Sequence, residues 1–154
     1  MTSLVAAALL AINAPSQGGP EGRIDGIEVR LFDTSKGAFG ENILDASGYW
    51  NGWNTFLLEG NGGYGRGDAV VIVRIAPAHP GNGYAYADGT LTISAFRRGK
   101  LLAQRRFKQI GLPGEQPASQ ILNLADVGCS GEVKIIATYR GQVAQAKLMF
   151  ECGE

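Results

Sequence analysis

The sequence predicts an all-β fold, a two-sheet sandwich of about seven strands. Three observations carry that expectation. Apolar residues recur with a period of two in seven short runs, helical periodicity is confined to the N-terminal leader, and Gly-rich turn signals stand between the runs. Seven short strands spaced in this way bury their apolar faces by packing as two sheets.

The leader is Leu4-Val5-Ala6-Ala7-Ala8-Leu9-Leu10-Ala11-Ile12, an apolar run too short for a membrane span and the right length for a signal-peptide core. Ala14-Pro15-Ser16 supplies the small residues that place cleavage near Ser16. Met1-Thr2-Ser3 lacks the basic residue usual at such a start, and the alternative is a buried N-terminal helix. The expected organisation is a signal peptide at 1–16, a flexible lead-in at 17–23 and a single domain at 24–154, with a periplasmic or secreted destination and no transmembrane span in the mature chain. At 154 residues and 45% hydrophobic composition the chain is large and apolar enough for one proper core. Fourteen basic residues balance fourteen acidic ones, so overall charge gives no case for nucleic acid, and none is expected as a partner.

The first strand alternates Ile27, Val29 and Leu31 with Glu28 and Arg30, and the second sets Val71, Val73 and Ile75 on one face. In order, the strands fall near 27–33, 69–76, 90–96, 101–108, 119–124, 132–139 and 142–151. Arg97-Arg98-Gly99-Lys100 reads as a hairpin turn, as does Arg140-Gly141. A two-residue turn at Arg140-Gly141 pairs Tyr139 with Gln142, Ala137 with Ala144, Ile135 with Ala146, Val133 with Leu148 and Gly131 with Phe150. The same register brings Cys129 opposite Cys152, within reach of a disulfide, the state an even cysteine count favours in an exported chain. It also opposes Lys134 to Lys147, and Arg140 is an unusual first residue for a tight turn, which points to a bulge.

The run Leu122-Asn123-Leu124-Ala125-Asp126-Val127-Gly128-Cys129 resembles the corner between strands E and F of immunoglobulin-like and fibronectin-type domains. An alternating strand there enters an Asp-x-Gly turn. The resemblance implies an immunoglobulin-like sandwich and says nothing of activity. The sequence departs from an antibody domain in having no cysteine on the second strand and no tryptophan on the third.

A long insertion, residues 34–68, follows the first strand and exceeds a normal connection. It holds Tyr49, Trp50, Asn51, Trp53 and Asn54, with Phe39, Phe56, Tyr64, Asn42 and Asn61, and an extra strand is expected near 53–58. Rings beside amides suit a glycan, whose apolar faces stack and whose hydroxyls bond to amides. The alternative is that the tryptophans plug one end of the sandwich.

Six of the fourteen basic residues crowd one hairpin: Arg97, Arg98, Lys100, Arg105, Arg106 and Lys108, with no acid from 89 to 114. They read as a patch for an anionic surface or protein partner, or as charges that protect an edge strand. Catalysis is poorly supplied. The lone His79 belongs on an exposed turn, zinc needs more ligands than are present, and the G-x-G-x-x-G match at 60–65 precedes a strand where phosphate binding needs a helix. Arg66-Gly67-Asp68 is a chance adhesion tripeptide at a strand start. No cofactor is expected. The sequence thus points to an exported, non-catalytic binding or assembly module, with a carbohydrate-binding sandwich as the first alternative and a small periplasmic hydrolase as the second.

Overall fold

The computed structural model describes residues 21–33, 37–44, 50–52, 68–79, 83–125, 127 and 130–152. They form eleven strands: β1 (Gly22–Asp33), β2 (Ala38–Asn42), β3 (Trp50–Gly52), β4 (Ala69–Pro77), β5 (Tyr84–Ala87), β6 (Leu91–Arg97), β7 (Lys100–Phe107), β8 (Ile110–Pro113), β9 (Ala118–Leu124), β10 (Gly131–Tyr139) and β11 (Gln142–Cys152). One sheet has the order β2-β1-β4-β9, the second β3-β11-β10-β6-β7, and β5 pairs with β8 in a third.

The seven expected strands are β1, β4, β6, β7, β9, β10 and β11. Counted among themselves, the first, second and fifth share a sheet facing the seventh, sixth, third and fourth. In immunoglobulin-like letters this is A-B-E against G-F-C-C′, and the chain is an immunoglobulin-like β-sandwich. Of the other four strands, β5 alternates over only four residues, and β2, β3 and β8 carry no alternating signal. β8 is Ile110-Gly111-Leu112-Pro113, whose glycine and proline read as breakers, and β5 is a four-residue piece. β1 starts at Gly22, ahead of the alternation, because a bulge between Ile24 and Gly26 resets its period. The segment 53–58, where an extra strand was expected, lies outside the described residues.

Alternation decides burial. Val29, Val71, Val73, Ile75, Leu122 and Leu124 of the first sheet face Leu91, Ile93, Ala95, Val133, Ile135, Ala137 and Phe150 of the second, all buried. Sheet β5–β8 closes one end of this core with Ala87, Ile110 and Leu112. Between β9 and β10 the chain changes sheets, and buried Val127 fills the corner while its carbonyl accepts from both the amide and the hydroxyl of Ser130. Asp126, Gly128 and Cys129 of that corner lie outside the described residues.

The β10–β11 ladder has the register read from the sequence, nine consecutive pairs from Gly131↔Phe150 to Tyr139↔Gln142. The bulge expected at Arg140 is absent: Arg140 and Gly141 take φ of 48° and 78°, the left-handed pair that a two-residue primed turn needs. Arg98 and Gly99 repeat the device at 51° and 76° between β6 and β7. Lys134 does oppose Lys147, and Lys147 reaches diagonally to Glu132 at 3.5 Å. The disulfide expectation falls on Cys129, outside the described residues, and on Cys152, described only as backbone.

On the outer face of the first sheet, Glu28 accepts from Arg30 Nη2 at 2.8 Å and from Nε at 3.0 Å, and also from Arg74 across β1–β4. Hydrogen bonding from Arg30, helped by the charge of Arg74, holds the Glu28 carboxyl below the usual range. The sign follows. A depressed folded value stabilises above the unfolded carboxylate range, and the gain is lost as pH falls through the folded value. Glu28→Gln should therefore cost about 1 kcal/mol at neutral pH, kept small because both guanidiniums are partly solvated, and nothing once the carboxyl is protonated. Urea melts of both proteins from neutral to acid pH check this: the midpoints should converge.

Candidate functional site: the cationic β6–β7 edge

β7 is the edge strand of its sheet and β9 the edge of the facing one. The sequence makes β7 exposed by alternating polar residues on the face that β6 leaves to solvent. Arg106 stands opposite Thr92, and Gln104 stands opposite Ser94, to whose hydroxyl its amide donates at 3.0 Å. On the other face Phe107 pairs with Leu91 and Arg105 with buried Ile93, so Arg105 starts on the core side of the sheet. Its guanidinium lies 4.8 Å from the Phe107 ring centre, and Nη1 donates to the Ile121 carbonyl of β9 at 3.2 Å. Arg105 thus bridges the two sheets and occupies an edge carbonyl that would otherwise be open to pairing.

The six cations separate into two roles. Arg105 is structural. Arg97, Arg98 and Lys100 at the turn, Arg106 on the outer face and Lys108 just past the strand are all exposed, and among the described residues none of the five forms an ion pair. They stand at the two ends of β7, with Lys100 and Arg106 roughly 20 Å apart at the usual rise of about 3.3 Å per residue. Together they give this edge a local field of one sign.

The aromatic insertion lies at the opposite lateral side. Its β2 pairs with β1 in one sheet and its β3 runs parallel to β11 in the other, so the insertion covers an edge of each. Trp50 and Asn51 stand at the register positions of Phe150 and Glu151. Tyr49, Trp53 and Asn54 lie outside the described residues, as does the Gly-rich stretch at 60–65. Asn42, one of the insertion's amides, is used on the backbone: Oδ1 accepts from Val29 N at 2.9 Å and Leu44 N at 3.3 Å, supplying the acceptor that the β1–β2 bulge takes away. Nearby, Phe32 and Phe39 meet edge to face at 5.2 Å beside a groove of about 220 Å³ that Asn123 and Asp68 also line.

His79 sits exposed on a bend after β4, as the sequence suggested. Among the described residues no three potential metal ligands converge, and no helix is long and apolar enough to cross a membrane.

Sequence reasoning missed an exposed tyrosine pair on β5. Tyr84 and Tyr86 meet edge to face at 5.3 Å and are 64% and 59% exposed. Both lie on the outer face of the small sheet, opposite Pro113 and Gly111. The Tyr84 hydroxyl occupies the space a Cβ at Gly111 would fill, so the ring lies down across β8. The alternation Tyr-Ala-Tyr-Ala was the available signal.

No protein-family model matches the chain, and no curated protein matches it. Among solved structures, the chain is similar to an immunoglobulin-like protein from Pseudomonas aeruginosa at 15% identity, covering 84% of this chain and 95% of that one with a TM-score of 0.42. It is also similar to the ligand binding region of serine-glutamate repeat protein A of Enterococcus faecium at 12% identity, covering 55% and 83%, with a TM-score of 0.33. Scores this low carry no functional argument, and the immunoglobulin-like assignment stands on the strand order of the chain itself.

Proposed function

We propose that this chain is an exported, non-catalytic binding module that docks an anionic partner along the β6–β7 edge. The observation that supports it is the group of five exposed cations without ion-pair partners, set on an edge that Arg105 alone already bridges to β9. Edge protection needs one or two charges, and here five cations flank one strand at its two ends. The chain has no net charge, so a local field has to do the attracting.

Segregated charge gives a direct test. At a pH just above neutrality the protein should be retained on a sulfonate matrix despite its sequence pI near 6.6. Neutralising Arg106 and Lys108 to glutamine should abolish most of that retention. Neutralising Lys134 and Lys147, an equal change in net charge, should leave most of it. Equal behaviour of the two variants would refute the edge as the docking site.

Export rests on the apolar leader at 4–12 and on an even cysteine count, Cys129 and Cys152. The sequence alternation on either side of Arg140-Gly141, extended to residue 129, would oppose Cys129 to Cys152. Intact-mass measurement of protein purified from its native compartment should show loss of the leader and a mass two hydrogens below that of the reduced chain. Two free thiols on an uncleaved chain would contradict export.

A further inference from the structure

We infer that the anion this edge takes is a linear acidic polysaccharide, held by the β7 cations and by the Tyr84–Tyr86 pair beyond them. The inference rests on the edge-docking reading above and names its ligand class. Two independent observations meet here. The first is the shape of the charge. Arg97, Arg98 and Lys100 lie at one end of β7, and Arg106 and Lys108 at its other end, so the charge falls in two separated groups and does not gather around one point. A single phosphate or sulfate needs a cradle. Two separated groups of cations fit repeated carboxylate or sulfate groups along an extended chain. Three of the five are arginines, whose planar donors match such groups bidentately.

The second observation is the aromatic pair beyond the second group. Lys108-Gln109 joins β7 to β8 through a bend, and β8 carries Gly111, over which Tyr84 lies. Tyr84 and Tyr86 stand at 85° to one another, both more than half exposed. Together they form an open corner with two apolar ring faces and two phenol groups. Sugar rings present what such a corner recognises, an apolar face for stacking and hydroxyls for hydrogen bonding. Cations ending in exposed rings therefore match a polymer that is charged and made of sugars.

A flat anionic membrane fits less well. It would leave the exposed tyrosines without a role, and the exposed apolar side chain at the cationic turn is Leu101 alone. Single-stranded nucleic acid stacks its bases on rings interleaved with the cations, whereas here the rings lie at one end of a chain without net positive charge.

The test compares binding of the mature protein to polygalacturonate, uncharged dextran, phosphatidylglycerol vesicles and oligothymidylate under one buffer. Polygalacturonate should bind best. Its fragments should weaken roughly a hundredfold once too short to span the strand, and affinity should fall roughly tenfold or more as salt rises through the physiological range. The Tyr84→Ala/Tyr86→Ala double variant should lose roughly tenfold for polygalacturonate while keeping its retention on a sulfonate matrix, and far-ultraviolet circular dichroism confirms its fold. Tighter binding to vesicles or oligothymidylate, an unchanged affinity in the tyrosine variant, or equal binding of dextran overturns the polysaccharide and leaves edge docking to its own test. Binding to none of the anions removes both.

Discussion

Replacing Ile135 with alanine should cost about 4 kcal/mol of unfolding free energy, near the upper end for such truncations. The reason lies in its row. Ile135 is fully buried on the core face of β10, with Ala95 beside it on β6 and Ala146 on β11. Two small neighbours leave one side chain to fill the width of three strands. The site therefore collapses poorly after truncation, and the residual cavity adds to the lost transfer free energy. Ile135→Val, which removes one methyl, should cost about 1 kcal/mol. Urea denaturation with an unchanged slope reads both values. Equal, small losses in the two variants would show that the row is not packed as described.

Tyr139→Ala should have a comparable effect, about 3–5 kcal/mol, and Tyr139→Phe only about 1 kcal/mol. Among the described residues Tyr139 is the largest fully buried side chain, and its hydroxyl donates to the Asp88 carbonyl at 2.6 Å. That bond ties the end of β10 to the turn between β5 and β6. The ring has room because glycine stands on both sides of it. A Cβ at Gly22 would come within 3.2 Å of the hydroxyl. One at Gly89, where φ is +106°, would come within 3.3 Å of the ring and 2.8 Å of Arg140 Cγ. Burial pushes the phenol above its ordinary value. The fold thus prefers the neutral form: the contribution is whole below the unfolded phenol value and is lost as pH rises toward the folded one. The phenylalanine variant lacks this loss, so the gap between wild type and Tyr139→Phe should narrow in alkaline solution.

Much of the frame was legible in the sequence because long-range pairing left local traces. Val133 to Tyr139 and Gln142 to Phe150 alternate in phase around a two-residue turn, so register followed from the pattern alone. β2, β3, β5 and β8 left no such trace. They are short, β2, β3 and β8 contain glycine or proline, and β3, β5 and β8 pair with strands far along the chain. The absent bulge at Arg140 has a similar explanation: an arginine was held at positive φ by a ladder whose register was already fixed on both sides. At the candidate site all six cations were visible as a cluster. That Arg105 alone turns toward β9 was not, because it depends on two edges from different sheets coming together across the sandwich. Asn42 looked like a sugar ligand by composition and is a backbone acceptor by topology.

The docking surface proposed for this chain is the β6–β7 edge. Amide chemical-shift mapping of the isotope-labelled protein, titrated with dextran sulfate as a simple polyanion, tests it residue by residue. The largest changes should fall between Arg97 and Lys108, with β2 and β3 undisturbed. Changes centred on β2, β3 and the Phe32–Phe39 groove, with the β6–β7 amides unmoved, would contradict it.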